Sequence, residues 1–461
     1  MAIVNQDMSR EAKRLLYQAY DYALEFLSKL NDRRVYPDEK MLKELKRLDI
    51  PLPEKPTDPE AALKLLHEVG LKATVTSAGP RYFGFVMGGS LPQTLASSWL
   101  TSAWDQNAGL FDTSPIAAYT EEISLRWLVE LFGLPKTCGG AFLSGATMAA
   151  FTSLAAARNH LLNRQGWDVR KNGLFDAPKI NIIVSEEIHV TNLKAISLLG
   201  LGSDRLTKVR TDNQGRMLVD EIPDLSGPTI ICLQAGDVNS GCFDPFNEII
   251  SELDSDDTWF HIDAAFGMWA LVSEKFKHLA KGIEKADSWS IDAHKWLNVP
   301  YDSGMALVKN EDALRSAMSF GASYLTPAPG QRRPTDYSTG LSNRARGIDV
   351  WTALVTLGKS GIAEIVERCC SHANYAAEEL SRAGFEILND VVLNQVLVSF
   401  GDDARTDEVI KEIQRDGTCW CGGTIRKGRR AMRISVISWA TTKEDMKKSV
   451  EAMIACARHV K

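Results

Sequence analysis

The 461-residue sequence has no excess of positive charge: 53 Lys and Arg stand against 59 Asp and Glu, a net charge of −6. Phosphate backbones are held by clustered cations, so nucleic acid is excluded as the main partner. Long apolar runs are missing as well. The longest uncharged stretch, residues 82–104, is broken by Gly84, Gly88, Gly89, Pro92 and Gln93, which speaks against a membrane span. The first residues, MAIVNQDMSREAKR, lack the apolar core and small-residue cleavage site of a secretory signal. Cysteine is sparse, eight residues with no CxxC pair, so neither a disulfide scaffold nor a zinc framework is indicated. Reduced thiols, a cytoplasmic location and no metal site are the expectations.

What is present suits a large globular protein. With 44% hydrophobic and 24% charged residues there is material for a sizeable core. The length suits one large domain with one or two smaller pieces. Residues 9–30 carry a helical period in Leu15, Leu16, Ala19, Tyr22, Ala23, Phe26, Leu27 and Leu30. A stretch with Pro51, Pro53, Pro56 and Pro59 follows, then a second helix over 59–70, so residues 1–75 read as a helical arm. From about 120, helices alternate with short apolar runs at 180–184, 229–233, 259–262 and 304–308. That alternation predicts an α/β architecture, with a mostly parallel sheet covered on both faces, in a large domain over 76–325. Residues 321–343, rich in Gly, Pro, Ser, Thr and Arg, read as a long loop. A helix over 345–358 and strands at 396–400 and 432–436 place a small C-terminal α/β domain within 326–461.

Four segments carry chemistry. Lys295, in Ser290-Ile291-Asp292-Ala293-His294-Lys295-Trp296, lies between apolar segments, where an amine can form a Schiff base with a carbonyl compound. A lone Lys there is equally explained by snorkelling. Asp263, in His261-Ile262-Asp263-Ala264-Ala265, ends an apolar strand, where ligands bind in parallel sheets. It could hold a protonated ring nitrogen with about 4 kcal/mol at ~4 Å and an effective dielectric of ~20, or cap a helix. Leu143-Ser144-Gly145-Ala146-Thr147 turns into a helix whose free N–H groups suit a phosphate, or simply a cap. His189 follows a strand and could stack on a flat ring or serve as a structural histidine. His261/Asp263 and Asp292/His294 also leave a metal site open as a competing reading.

Taken in order, phosphate turn, His, strand-end Asp and Lys resemble the fold type I enzymes that use pyridoxal 5′-phosphate, and among them the group II amino-acid decarboxylases. Pro80-Arg81-Tyr82-Phe83-Gly84-Phe85 resembles their aromatic substrate segment, and Gly241-Cys242-Phe243-Asp244-Pro245 their G-A-x-D-P turn. Tyr324-Leu325 and Thr335-Asp336-Tyr337 resemble landmarks of their catalytic loop. The resemblance implies a seven-stranded, mostly parallel sheet and a homodimer. It implies that Lys295 holds the cofactor as an internal aldimine, that Asp263 pairs with the pyridinium, and that Ala265 lies close to the ring. His189 would stack on the ring. Ala146 and Thr147 would bind phosphate with help from Asp292 and His294. Tyr82, Phe83, Phe85 and Asp237 would meet the substrate, and Tyr337 would protonate the carbanion carbon. The implied reaction is decarboxylation of an amino acid to an amine and CO₂. Asp237 and Val238 stand where the family commonly has paired threonines, which keeps lyase and aminotransferase chemistry open as alternatives. Arg81, Arg344 and Arg346 are candidate partners of a substrate carboxylate. Cys419-Trp420-Cys421 reads as a turn with buried thiols.

Overall fold

A computed structural model describes residues 8–321 and 331–460. Seven strands form the large sheet: β1 (Gly139–Leu143), β2 (Asn181–Ser185), β3 (Thr207–Val209), β4 (Thr229–Gln234), β5 (Thr258–Asp263), β6 (Ser288–Asp292) and β7 (Gly304–Val308). Their spatial order is β1-β7-β6-β5-β4-β2-β3. Only β7 runs against its neighbours, β1 and β6; the remaining pairs are parallel. The carboxyl ends of β1, β2, β4, β5 and β6 therefore share one edge, where ligand-binding turns gather in such sheets. Every residue of β1, β4, β5, β6 and β7 is buried, because helices cover both faces.

The N-terminal helix Met8–Ser28 and the helix Pro59–Ala73 lie near the expected positions. The first leaves Leu16, Tyr17, Tyr20 and Leu24 exposed. The helix expected to stop at 358 instead continues over Arg346–Arg382, with a break at Gly358, whose φ of +60° interrupts the helical turn. A smaller antiparallel sheet follows, made of β8 (Glu386–Ile387), β9 (Gln395–Ser399), β10 (Gly422–Arg426) and β11 (Arg429–Ser435), in the order β10-β11-β9-β8. Part of the predicted 321–343 loop, with Tyr324 and Leu325, lies outside the described residues. No helix among those described is long and apolar enough to cross a membrane.

Candidate active site

Pairing β7 between β1 and β6 sets Leu143, Gly304 and Asp292 side by side. The turn after β1 thus meets the turn after β6. A Cβ on Gly304 would lie 2.5 Å from Gly145 Cα and 2.9 Å from Asp292 Oδ1, so only glycine lets the two turns approach. Asp292 Oδ1 accepts from Ala146 N–H (2.7 Å), and its Oδ2 lies 3.0 Å from Lys295 Nζ. Lys295 Nζ also lies 5.9 Å from the centre of the Phe266 ring. His294 Nδ1 accepts from Ser303 N–H (3.1 Å), which leaves the proton of a neutral ring on Nε2, 3.6 Å from Asp292 Oδ1. Burial lowers the pKa of His294, which favours that neutral ring.

The helix Ala146–Arg164 begins at Gly145 without a side-chain cap from its own N-terminus. Its first N–H, on Ala146, is taken by Asp292, and the N–H groups that follow, beside an amine and an imidazole, suit a phosphate group. Asp292 takes a different part from the phosphate contact expected of it. A carboxylate repels a phosphate, and this one ties the Ala146 turn to the Lys295 amine.

Asp263 ends β5 on the same edge. Its Oδ2 accepts from Asn192 Nδ2 (2.7 Å) and Thr191 Oγ1 (3.4 Å), and its Oδ1 from Ala265 N–H (3.2 Å). Three neutral donors hold the carboxylate in place, and no cation among the described residues is in direct contact with it. Ala265 O accepts from Asp292 N–H at 2.9 Å, which locks the β5 and β6 turns together. His189 precedes the helix Val190–Leu198. Its N–H donates to Gln234 Oε1 (3.1 Å) and its Nδ1 meets Thr191 Oγ1 (2.7 Å), one step from Asp263. Burial lowers the His189 pKa; the charge of Asp263 opposes this and that of Lys295 reinforces it. Lys295, Asp263, His189, Ala265, Ala146 and His294 are thus brought to one corner from four segments. His261 is a core residue: its Nδ1 meets Ser288 Oγ at 2.9 Å, and burial brings its pKa down to about 4.

The aromatic segment divides. A Cβ on Gly88 would lie 2.0 Å from Lys295 O, so this stretch runs against the lysine backbone. Tyr82 stacks on Trp420 at 5.0 Å, and burial pushes its phenol up to about 12. Phe85 stays largely exposed. Phe83, expected in the substrate pocket, is 1% exposed and fills the main core, with its N–H held by Trp420 O.

On the other flank, Asp237 Oδ1 accepts from Asn239 N–H (3.0 Å), Ser240 N–H (2.8 Å) and Ser240 Oγ (3.0 Å). Half of this expected substrate contact is therefore spent on its own loop, and its buried Oδ2 has no hydrogen-bond partner among the described residues. Arg433 of β11, which sequence reasoning missed, donates from Nη1 to Val238 O (3.2 Å). Its charge reaches both His189 and Asp237. Behind them lies Arg426, 3.6 Å from Glu187 Oε2, with all three guanidinium nitrogens buried and without a hydrogen-bond partner among the described residues. The arginines singled out earlier are committed elsewhere. Arg81 binds Asp445, Thr418 O and Asn31 O; Arg344 binds Ser98, and Arg346 binds Asp302.

Tyr337 is not brought to the corner within one chain. Its hydroxyl donates to Glu311 Oε1 at 2.5 Å and its ring lies 3.9 Å from the Arg332 guanidinium. Arg332 in turn donates to Gly140 O, near the start of β1, whereas Lys295 lies beyond its end. Tyr337 borders a cavity of about 1200 Å³ shared with Arg126, Glu311 and Arg332.

A lysine amine, an anchored strand-end carboxylate, a histidine and a helix start gathered at one sheet edge suit pyridoxal phosphate on a fold type I framework. The pyridoxal-dependent decarboxylase conserved domain matches residues 42–401. The chain belongs to that family of pyridoxal phosphate-dependent carboxy-lyases. It is 26% identical to the aromatic-L-amino-acid decarboxylase of Bacillus atrophaeus over 98% of this chain and 96% of the relative. It is 29% identical to the acidic amino acid decarboxylase GADL1 of Homo sapiens over 74% of this chain and 67% of the relative. Among solved structures, Oryza sativa TDC with PLP and tryptamine superposes with a TM-score of 0.89 at 20% identity, covering 100% of this chain and 99% of that one. Mouse CSAD gives 0.88 at 21%, covering 97% and 99%. At those identities the likeness concerns the fold.

Proposed function

We propose that the protein decarboxylates an L-amino acid to the corresponding amine and CO₂. The observation that carries this reading is the convergence of Lys295, Asp263 and His189 on one corner of the sheet edge. Pyridoxal phosphate, when bound there, supplies an electron sink for the pair left behind by the departing carboxylate. Lys295 anchors the cofactor, and Asp292 orients its amine. Asp263 keeps a proton on the ring nitrogen, which strengthens the sink. His189 covers one face of the ring, and Ala265 leaves room on the other. Thr147 and His294 bind the phosphate beside Ala146, whose own N–H is held by Asp292. Arg433 takes the substrate carboxylate, having donors to spare beside His189. Tyr337 protonates the α-carbon after CO₂ leaves. To do so it gives up its Glu311 contact and is presented by a second copy of the chain, since within one chain it lies toward the start of β1. The apolar residues exposed at Leu16, Tyr17, Trp99, Trp104 and Tyr119 support a homodimer. Eight free cysteines suit the cytoplasm.

The test is to load the protein with pyridoxal phosphate and screen amino acids for CO₂ and amine. Lys295→Ala should abolish both CO₂ release and the visible band of the lysine-bound cofactor. A surviving band rejects Lys295 as the anchor. An aldehyde, a keto acid or ammonia in place of CO₂ would move the reading to a lyase or an aminotransferase.

A further inference from the structure

We propose that Gln234, at the carboxyl end of β4, is a further cofactor-binding residue whose amide Nε2 donates to the phenolic oxygen of the pyridine ring. The inference rests on the cofactor site of Lys295 and Asp263, and not on which bond of the substrate is broken.

The backbone of Gln234 is pinned by one acid. Its N–H donates to Asp244 Oδ2 (2.8 Å), and its C=O accepts from Asp244 N–H (3.0 Å). Gln234 is also the register partner of Asp263 on β5. Paired residues of adjacent strands face the same side of a sheet, so the two side chains rise together. The Gln234 side chain is fixed as well. Its Oε1 accepts from the backbone N–H of His189 at 3.1 Å. Only the oxygen of an amide can meet an N–H donor, so this contact assigns the nitrogen to the other limb. The residue is 6% exposed, and Nε2 is buried without an acceptor among the described residues. A buried donor left unpaired is costly, and folded chains rarely keep one.

The order of the strands says which part of the cofactor meets it. The ring nitrogen belongs at Asp263, on β5. The phosphate belongs at Thr147 and His294, which follow β1 and β6 on one side of β5. In pyridoxal phosphate, the phosphate arm and the phenolic oxygen lie on opposite sides of the line from ring nitrogen to aldehyde carbon. The phenolic edge then turns to the other side of β5, toward β4 and β2. Gln234 closes β4, and His189 follows β2. Asp237, three residues on, only accepts when ionised and cannot serve a phenolate. An amide N–H can, and a bond to an ionised acceptor is stronger than one between neutral groups.

The experiment titrates the full chain, stripped of cofactor, with pyridoxal 5′-phosphate and with 3-deoxypyridoxal 5′-phosphate, which lacks the phenolic oxygen. The readout is the ratio of the two dissociation constants, with melting temperature recorded alongside. Wild type should prefer the natural cofactor. Gln234→Met, unbranched and without a donor, should lower that preference about tenfold, which is ~1.4 kcal/mol. The ratio cancels any loss from the freed His189 N–H, which weakens both ligands alike. Gln234→Met should also raise the pH midpoint of the visible band by about one unit, because the donor favours the form with more negative charge on oxygen. If that variant does not fold, Gln234→Glu keeps the acceptor for His189 N–H, and the same fall in the ratio is expected. An unchanged ratio in the folded variant would overturn the proposal. So would an equal loss for both ligands, the result expected if Nε2 is instead bridged by water to Asn192 Oδ1, which also lacks a partner among the described residues. A fall in the ratio without CO₂ release from any amino acid would sink the decarboxylase reading and leave this one standing. CO₂ release with an unchanged ratio would do the reverse.

Discussion

The two flanks of the Lys295 corner are built from opposite materials: Tyr82, Phe85 and Trp420 on one, Glu187, Asp237, Arg426 and Arg433 on the other. The aromatic flank satisfies itself. Its rings stack on each other, and the Tyr82 hydroxyl keeps its proton because burial raises it. The charged flank does not. Arg426 is 7% exposed, yet its nearest acid contact is 3.6 Å away, and Glu187 Oε2 and Asp237 Oδ2 stay without hydrogen bonds among the described residues. Buried ions without close partners cost stability. The comparison teaches that the ring flank is held by packing without any unpaired charge. The charged flank couples substrate binding to folding.

The largest expected effect that tests this division is at Arg433. Arg433→Met should lower kcat/KM about 100-fold for every amino acid, ~2.7 kcal/mol of binding to a carboxylate. Arg433→Lys should recover little of it, because an ammonium lacks the planar fork. A loss confined to one side-chain class would assign Arg433 to the side-chain pocket and erase the contrast between the flanks. Next is Arg426→Gln, which leaves partly buried Glu187 without its cation. It should cost about 3 kcal/mol of stability, read as a lower denaturant midpoint. Burial already raises the Glu187 pKa. An unchanged midpoint would mean that Glu187 is folded as the neutral acid.

The smallest effect is on the pH profile. Burial holds the His189 pKa below its ordinary 6.5, so its neutral ring persists below that pH, and activity should fall only as pH drops further. Its contribution to stability has the same sign. The unfolded chain takes up the proton first, so the contribution is lost as pH falls through 6.5. The charge of Asp237 raises the His189 pKa, so Asp237→Asn should move the acid limb of kcat/KM to lower pH, by a few tenths of a unit. Trp420→Leu should leave the limb in place. A shift by both variants would show that the flanks are not separate.

Much of the framework was legible because its strands are continuous apolar runs. Thr229–Gln234 and Gly304–Val308 are bounded by turn residues and read directly as strands. Ser288–Asp292 escaped because Ser288, Ser290 and Asp292 mimic a half-exposed strand, although all five residues are buried. Its serines and acid face other turns and side chains rather than water. The order of Lys295, Asp263, His189 and the Ala146 turn was legible because each closes a strand or opens a helix. Arg433, Arg426 and Trp420 were not. Nothing near them in the chain says that β10 and β11 fold back against the Tyr82 and Asp237 turns. Phe83 was misjudged because aromatic composition does not say which alternate residues face inward.

The bridge between Tyr82 and Trp420 has a modular consequence. It joins two parts of the chain, one of which can be exchanged as a block while the residues proposed to hold the cofactor stay behind in the larger body. Grafting the last third of a relative onto this scaffold should carry over part of the donor's ligand preference without disturbing the shared chemistry. Diversification along such a lineage needs the seams to remain compatible, among them the short pairing at Arg81, Phe83 and Trp420 and the contact of Arg433 with Val238.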